Sequence, residues 1–162
     1  MVRDATDSDW PAIWAFQRGI VAAGDTFAWD TDTSEASARS MWMRVPPDGR
    51  TFVAVDEDGT VIGTAEMGPN HGGPASHIAN AGFMVDPAKG GRGAGRALVE
   101  HVIASARADG YRGIKFNAVA ETNKHAVKLY QECGFDIIAT VPEGFRHPSE
   151  GYVGLHIMYR TL

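Results

Sequence analysis

Between Met84 and Leu98 the chain runs Met-Val-Asp-Pro-Ala-Lys-Gly-Gly-Arg-Gly-Ala-Gly-Arg-Ala-Leu: a strand end, a glycine-rich turn and the apolar spacing of a helix start. Gly90, Gly91, Gly93 and Gly95 let the backbone curl so that successive N–H groups face one point. The helix that follows brings about half a positive charge to that point. Lys89, Arg92 and Arg96 add side-chain cations. Such a turn is suited to anions, and a diphosphate would fit there. Two commoner phosphate loops do not fit. No Gly-Lys-Ser/Thr occurs, as a nucleotide-hydrolysing P-loop requires, and Arg96 stands where the third glycine of a dinucleotide fingerprint begun at Gly91 would fall. A surface loop with solvated charges would share these glycines, so a second motif has to decide.

That motif is Asn-Lys-His-Ala-Val-Lys-Leu-Tyr-Gln-Glu-Cys-Gly-Phe, residues 123–135. Its spacing predicts an amphipathic helix begun by Thr122 or Asn123, with Leu129, Tyr130 and Cys133 inward and Gly134 as its stop. The phenol of Tyr130, with an ordinary pKa near 10, stays protonated at pH 7 and can donate to a departing thiolate. The glycine loop followed by Asn-x-x-Ala-x-x-Leu-Tyr-x-x-x-Gly-Phe resembles the GNAT superfamily of N-acetyltransferases, over roughly residues 51–160. The resemblance implies an α/β (α+β) fold with a mixed, mostly antiparallel central sheet whose central strands splay, flanked by helices. It implies acetyl-CoA as the co-substrate, with its diphosphate on Lys89, Gly90, Gly91, Arg92, Gly93, Ala94, Gly95 and Arg96. Gly90 stands where the family usually has Gln or Arg, so Lys89 or Arg92 would supply that cation. Met84 and Val85 would pair with the pantetheine arm, Asn123 and Tyr130 would lie near the thiol, and Tyr130 would be the general acid.

Acetyl transfer to an amine also needs a sink for the amine's proton. Glu66, at the end of an expected strand, could serve directly or through water, or water alone could act. The implied reaction is direct attack in a ternary complex. For the acceptor, a finer likeness to phosphinothricin and proline-analogue acetyltransferases suggests a small amino-acid-like amine. In that reading the amides of Asn80 and Asn117 hold its carboxylate, and Phe27 and Trp29 wall the pocket. Acetylation of a protein or peptide, and a non-catalytic acyl-CoA sensor, are the alternatives. A homodimer is left open. Cys133 has no cation set to activate it, and the six histidines lack ligand spacing, so neither a covalent route nor a metal is expected.

Elements must carry these groups. Helices are expected from Asp7 or Asp9 to Gly24, from Ser34 to Pro46, and from the glycine loop to Asp109-Gly110. Strands are expected at 51–55 and 61–67 around an Asp58-Gly59 turn, at 76–85 with a bulge at Gly82, at 114–119, at 135–141 and at 152–160. The last strand should turn Val153, Leu155, Ile157 and Tyr159 inward against Tyr152, His156, Met158 and Arg160. Between the last two strands a polar loop, 144–151 with Arg146, suits a substrate lid or a dimer contact.

No linker divides the 162 residues, so one acetyltransferase domain over 1–162 is expected. A net charge of −5, from 15 Lys+Arg against 20 Asp+Glu, argues against nucleic acid as a partner. No apolar run approaches the roughly 20 residues of a membrane span, and a single cysteine rules out an internal disulfide. A cytoplasmic protein is the expectation.

Overall fold

The computed structural model describes residues 1–162. Seven strands form one sheet, in the order β1 (Val2–Asp4), β2 (Arg50–Val55), β3 (Val61–Pro69), β4 (Ile78–Val85), β5 (Gly113–Ala120), β7 (Gly151–Thr161), β6 (Asp136–His147). All neighbours are antiparallel except β4 and β5. Helices α1 (Trp10–Ala23) and α2 (Glu35–Trp42) cover one face, and α3 (Ala94–Ala108) and α4 (Lys124–Glu132) the other.

Strand β2 shows why both faces are roofed. Phe52 and Ala54 enter the core under α3, while Val53 and Val55 enter the core under α1 and α2. A strand buried on both faces reads as a continuous apolar run, because its period of two feeds two cores. The α3 core holds Leu98, Val102, Ile114, Phe116, Phe135 and Met158. The α1–α2 core holds Ile13, Val21, Trp42, Val61 and Met84.

Several details depart from the sequence reading. The three residues of β1 are too short to show a period, yet they pair with β2. They are tied to α1 by Arg3, which donates to both oxygens of Asp9 at 2.8 Å. Strand β4 begins at Ile78, and its register with β3 is unbroken, so Gly82 is no bulge. A Cβ there would come within 3.2 Å of both Glu66 Oε1 and the Trp42 ring. Gly82 is therefore a close-packing position.

Strand β6 continues through His147, leaving only 148–150 as a turn where a loop over 144–151 was expected. Arg146 stands opposite Tyr152 in that ladder. The inward phase of β7 differs at its far end, where Met158 is fully buried and Ile157 half-buried, while at its start Val153 is half-buried and Tyr152 exposed, as expected. The α1–α2 core takes strand residues only from β2, β3 and β4, so beyond β4 only the α3–α4 face is roofed. Met158 lies on that face.

Candidate functional site

The parallel pair β4–β5 is the opening. Only Ile78 with Gly113 and Ala79 with Ile114 are in register; beyond them the strands part. Asn80 closes the apex, its Nδ2 donating to the Lys115 carbonyl at 3.0 Å. In an antiparallel ladder, alternate residues turn both backbone groups to the same neighbour. The Asp86 N–H donates to the Ile62 carbonyl of β3, so Asn80, Gly82 and Met84 also face β3. Ala81, Phe83 and Val85 therefore present free N–H and C=O groups to the gap. Of the two residues named for pairing there, Val85 has the right phase and Met84 has not. Phe83, on the correct phase, was missed, because phase follows from register and not from residue type.

At the wide end lies the glycine turn. Gly91 (φ 79°) and Gly93 (φ 74°) hold left-handed backbone that other residues adopt only at a cost, and both face open space. Gly93 caps α3 without a side chain, so the first N–H groups of the helix have no capping partner. Gly95 does different work: a Cβ there would meet Leu129 of α4 at 3.4 Å. Of the cations, Lys89 is in no ion pair, Arg92 is exposed 3.8 Å from Asp56, and Arg96 is engaged by Glu132 and by Glu100 at 3.9 Å. Ala94 is buried and Gly90 is exposed at the start of the turn.

Tyr130 roofs the parting on the α3–α4 side. Its ring lies 5.9 Å from Phe83 on one bank and 4.6 Å from Phe116 on the other. Its hydroxyl makes no hydrogen bond within the protein. Burial, with a smaller contribution from the Cys133 thiol, holds the phenol well above its ordinary pKa, so it remains a donor. Asn123 caps α4, its Oδ1 accepting from the Ala126 N–H at 3.3 Å. Beside it, the Thr122 hydroxyl is buried without a partner.

The opposite face carries a different set. Glu66, 8% exposed, stands across from Gly82 and beside Trp42. Burial pushes its carboxyl up and the Arg44 guanidinium pulls it back, leaving it at about 7. Phe27, Trp29 and Trp42 form a triangle of edge-on rings with centroids about 6 Å apart. Asn117 lies in a bulge of β5 and donates to Asn70 Oδ1 at 2.6 Å, which draws the β3–β4 connection towards the gap. Asn80 and Asn117 are thus both at the gap, each with its amide hydrogen bonded to the protein. Arg44, Trp42, Asn70 and Gln17 were not foreseen. Gln17 is fully buried in α1 with neither amide atom partnered, a cost that a core residue rarely carries.

A strand pair that parts, a glycine-capped helix beside it and a phenol over the parting describe an acyltransferase. Residues 9–135 match the acetyltransferase (GNAT) family. The N-acetyltransferase aca1 of Schizosaccharomyces pombe is 31% identical over 151 residues, covering 85% of this chain and 72% of its own length. The chain belongs to the acetyltransferase (GNAT) family. A GCN5-related N-acetyltransferase from Kribbella flavida superposes with a TM-score of 0.97 at 56% identity, covering 100% of this chain and 97% of the other. A phosphinothricin acetyltransferase from Sinorhizobium meliloti, solved with AcCoA, superposes with a TM-score of 0.88 at 23% identity over 100% of this chain and 88% of its own, a likeness of fold. No helix is long and apolar enough to cross a membrane.

Proposed function

We propose that this protein transfers the acetyl group of acetyl-CoA to the amine of a small, carboxylate-bearing, amino-acid-like acceptor, by direct attack in a ternary complex within one domain formed by the whole chain. Acetyl-CoA is the co-substrate and supplies the acyl carbon as an activated thioester. The observation that carries the reading is the pair of proton-handling groups on opposite faces of one gap: Tyr130 on the α3–α4 side and Glu66 on the α1–α2 side.

The residues present suit the co-substrate. Open space around Gly91 and Gly93, uncapped N–H groups at the start of α3 and the unpaired Lys89 would take the diphosphate. The free backbone of Phe83 and Val85 would take the amide-bearing arm, as an added strand does. Tyr130 would give its proton to the sulfur as the carbon–sulfur bond breaks, and be reprotonated from solvent. Glu66 would accept the proton that the amine loses on forming the carbon–nitrogen bond, directly or through water. A base titrating at about 7 is matched to that task at neutral pH. The aromatic triangle and the amides of Asn80, Asn117 and Asn70 border the acceptor side. They suit a compact amine with a carboxylate, provided the two asparagine contacts exchange for the ligand.

Thiol release measured over a panel of free amino acids, cyclic imino acids, alkylamines and peptides tests the reading. Turnover on carboxylate-bearing free amines supports it. Turnover on peptides alone, or tight binding of the co-substrate with no release, would overturn it.

A further inference from the structure

Glu66 needs an explanation for its poise, because a carboxyl this deeply buried with no counter-charge would be neutral far above pH 7. One charged group faces it. Thr51 on β2, Gly82 on β4 and the Trp42 ring surround the carboxyl and carry no charge. Arg44, just beyond α2, places its Nε 2.7 Å from Glu66 Oε2. At that separation the guanidinium engages Oε2 by charge and by hydrogen bonding, while Oε1, on the Gly82 side, accepts no hydrogen bond within the protein.

Arg44 is itself held on several sides. Its backbone N–H donates to Thr51 Oγ1 at 2.8 Å, and its Nη1 donates to the Asp48 carbonyl at 3.4 Å. A Cβ on Gly68 would approach Nη1 to 2.9 Å, and a Cβ on Gly49 would approach Arg44 Cδ to 2.8 Å. At both positions the nearest obstacle to a side chain is backbone, the Asp48 carbonyl for Gly68 and the Met67 carbonyl for Gly49, so the glycines let the chain close tightly around the Arg44 side chain. The other edge of that guanidinium opens onto a hollow lined by Val45, Pro46, Met67 and Tyr111.

We propose that Arg44 is a positioning residue for Glu66: it holds the carboxylate against Gly82 and sets the pH at which that carboxylate can take the acceptor's proton. This rests on Glu66 being the base. Arg44 occupies the Oε2 side, and a carboxylate offers about four lone-pair sites over its two oxygens, so Oε1 beside Gly82 stays open to take the proton.

The test is the pH profile of kcat/KM together with a carbon-13 titration of the Glu66 carboxyl in the intact protein. In Arg44→Met, both the acid limb and the titration should rise by roughly one pH unit, the lower end of the effect of an adjacent opposite charge. Arg44→Lys should restore both towards the parent values. Arg44→Gln, which removes the charge and keeps a polar side chain, should raise them too and provides a second route if Arg44→Met fails to fold. Glu66→Gln should abolish the limb; a limb that persists there removes Glu66 as base, and the carboxyl titration still reports on Arg44. A Glu66 titration that stays put in both Arg44→Met and Arg44→Gln would overturn the inference.

Discussion

Tyr130 and Glu66 lie on opposite faces of the same sheet, and burial acts on both in the same direction while leaving them fit for opposite tasks. Desolvation favours the neutral form of each. The phenol has no cation beside it, so it stays protonated at every physiological pH and can only donate. The carboxyl has Arg44 at 2.7 Å, which offsets part of the same effect and brings it to about 7, where it can accept. One neighbouring charge separates a phenol that stays protonated from a carboxyl that titrates at about 7. In the proposed reaction, the gap between β4 and β5 is what would let the two serve one reacting carbon.

Removing the donor should have the largest effect. Tyr130→Phe should lower turnover by about 10²- to 10⁴-fold, the usual range for a positioned general acid, with co-substrate affinity by calorimetry nearly unchanged. Equal turnover would dissolve the contrast. On the other face, Glu66→Gln should lower kcat/KM by about 10²-fold at pH 7, with the loss shrinking at high pH where free amines are already deprotonated.

Stability gives the sign of the Glu66 effect independently. Its folded value, about 7, lies above the ordinary 4.5. The folded state therefore holds the proton more tightly, and this contribution is complete below pH 4.5 and lost as pH rises through about 7. Asp9 behaves oppositely: Arg3 lowers it to about 2, so its contribution is present above the ordinary 3.8 and lost as pH falls through about 2. Thermal melts against pH should show the first slope vanish in Glu66→Gln and the second in Asp9→Asn.

Smaller effects sharpen the same picture. Gly93→Ala places a side chain at φ 74° and should cost about 1 kcal/mol of stability, while weakening co-substrate binding more than acceptor binding. Gln17→Met removes an unpartnered amide from the α1–α2 core and should stabilise the fold by about 1 kcal/mol. A rise in KM for the acceptor alongside that gain would show that the amide serves the acceptor.

How much was legible depended on how local the signal was. Both family motifs, their helices and the turn glycines lie in single stretches, so the order of residues carries them. Ser34 accepts from the Ser37 N–H and caps α2 as its position suggested. Errors gathered where a strand's partner decides the outcome. The Gly82 bulge, the inward phase at the far end of β7 and Met84 in place of Phe83 each depend on register with a distant strand, and a shift of one residue reverses which side faces inward.

The sequence by itself determined the glycine turn, the phenol and the alternation of helix and strand, because backbone freedom, proton affinity and hydrophobic period belong to residues and their near neighbours. Only the tertiary structure decided that Arg44 meets Glu66 across 22 residues of chain, that β4 and β5 part after two pairs, and that Tyr130 and Glu66 stand on opposite faces. Those are consequences of packing two layers of helices on one twisted sheet, and packing is a relation between residues far apart in the chain.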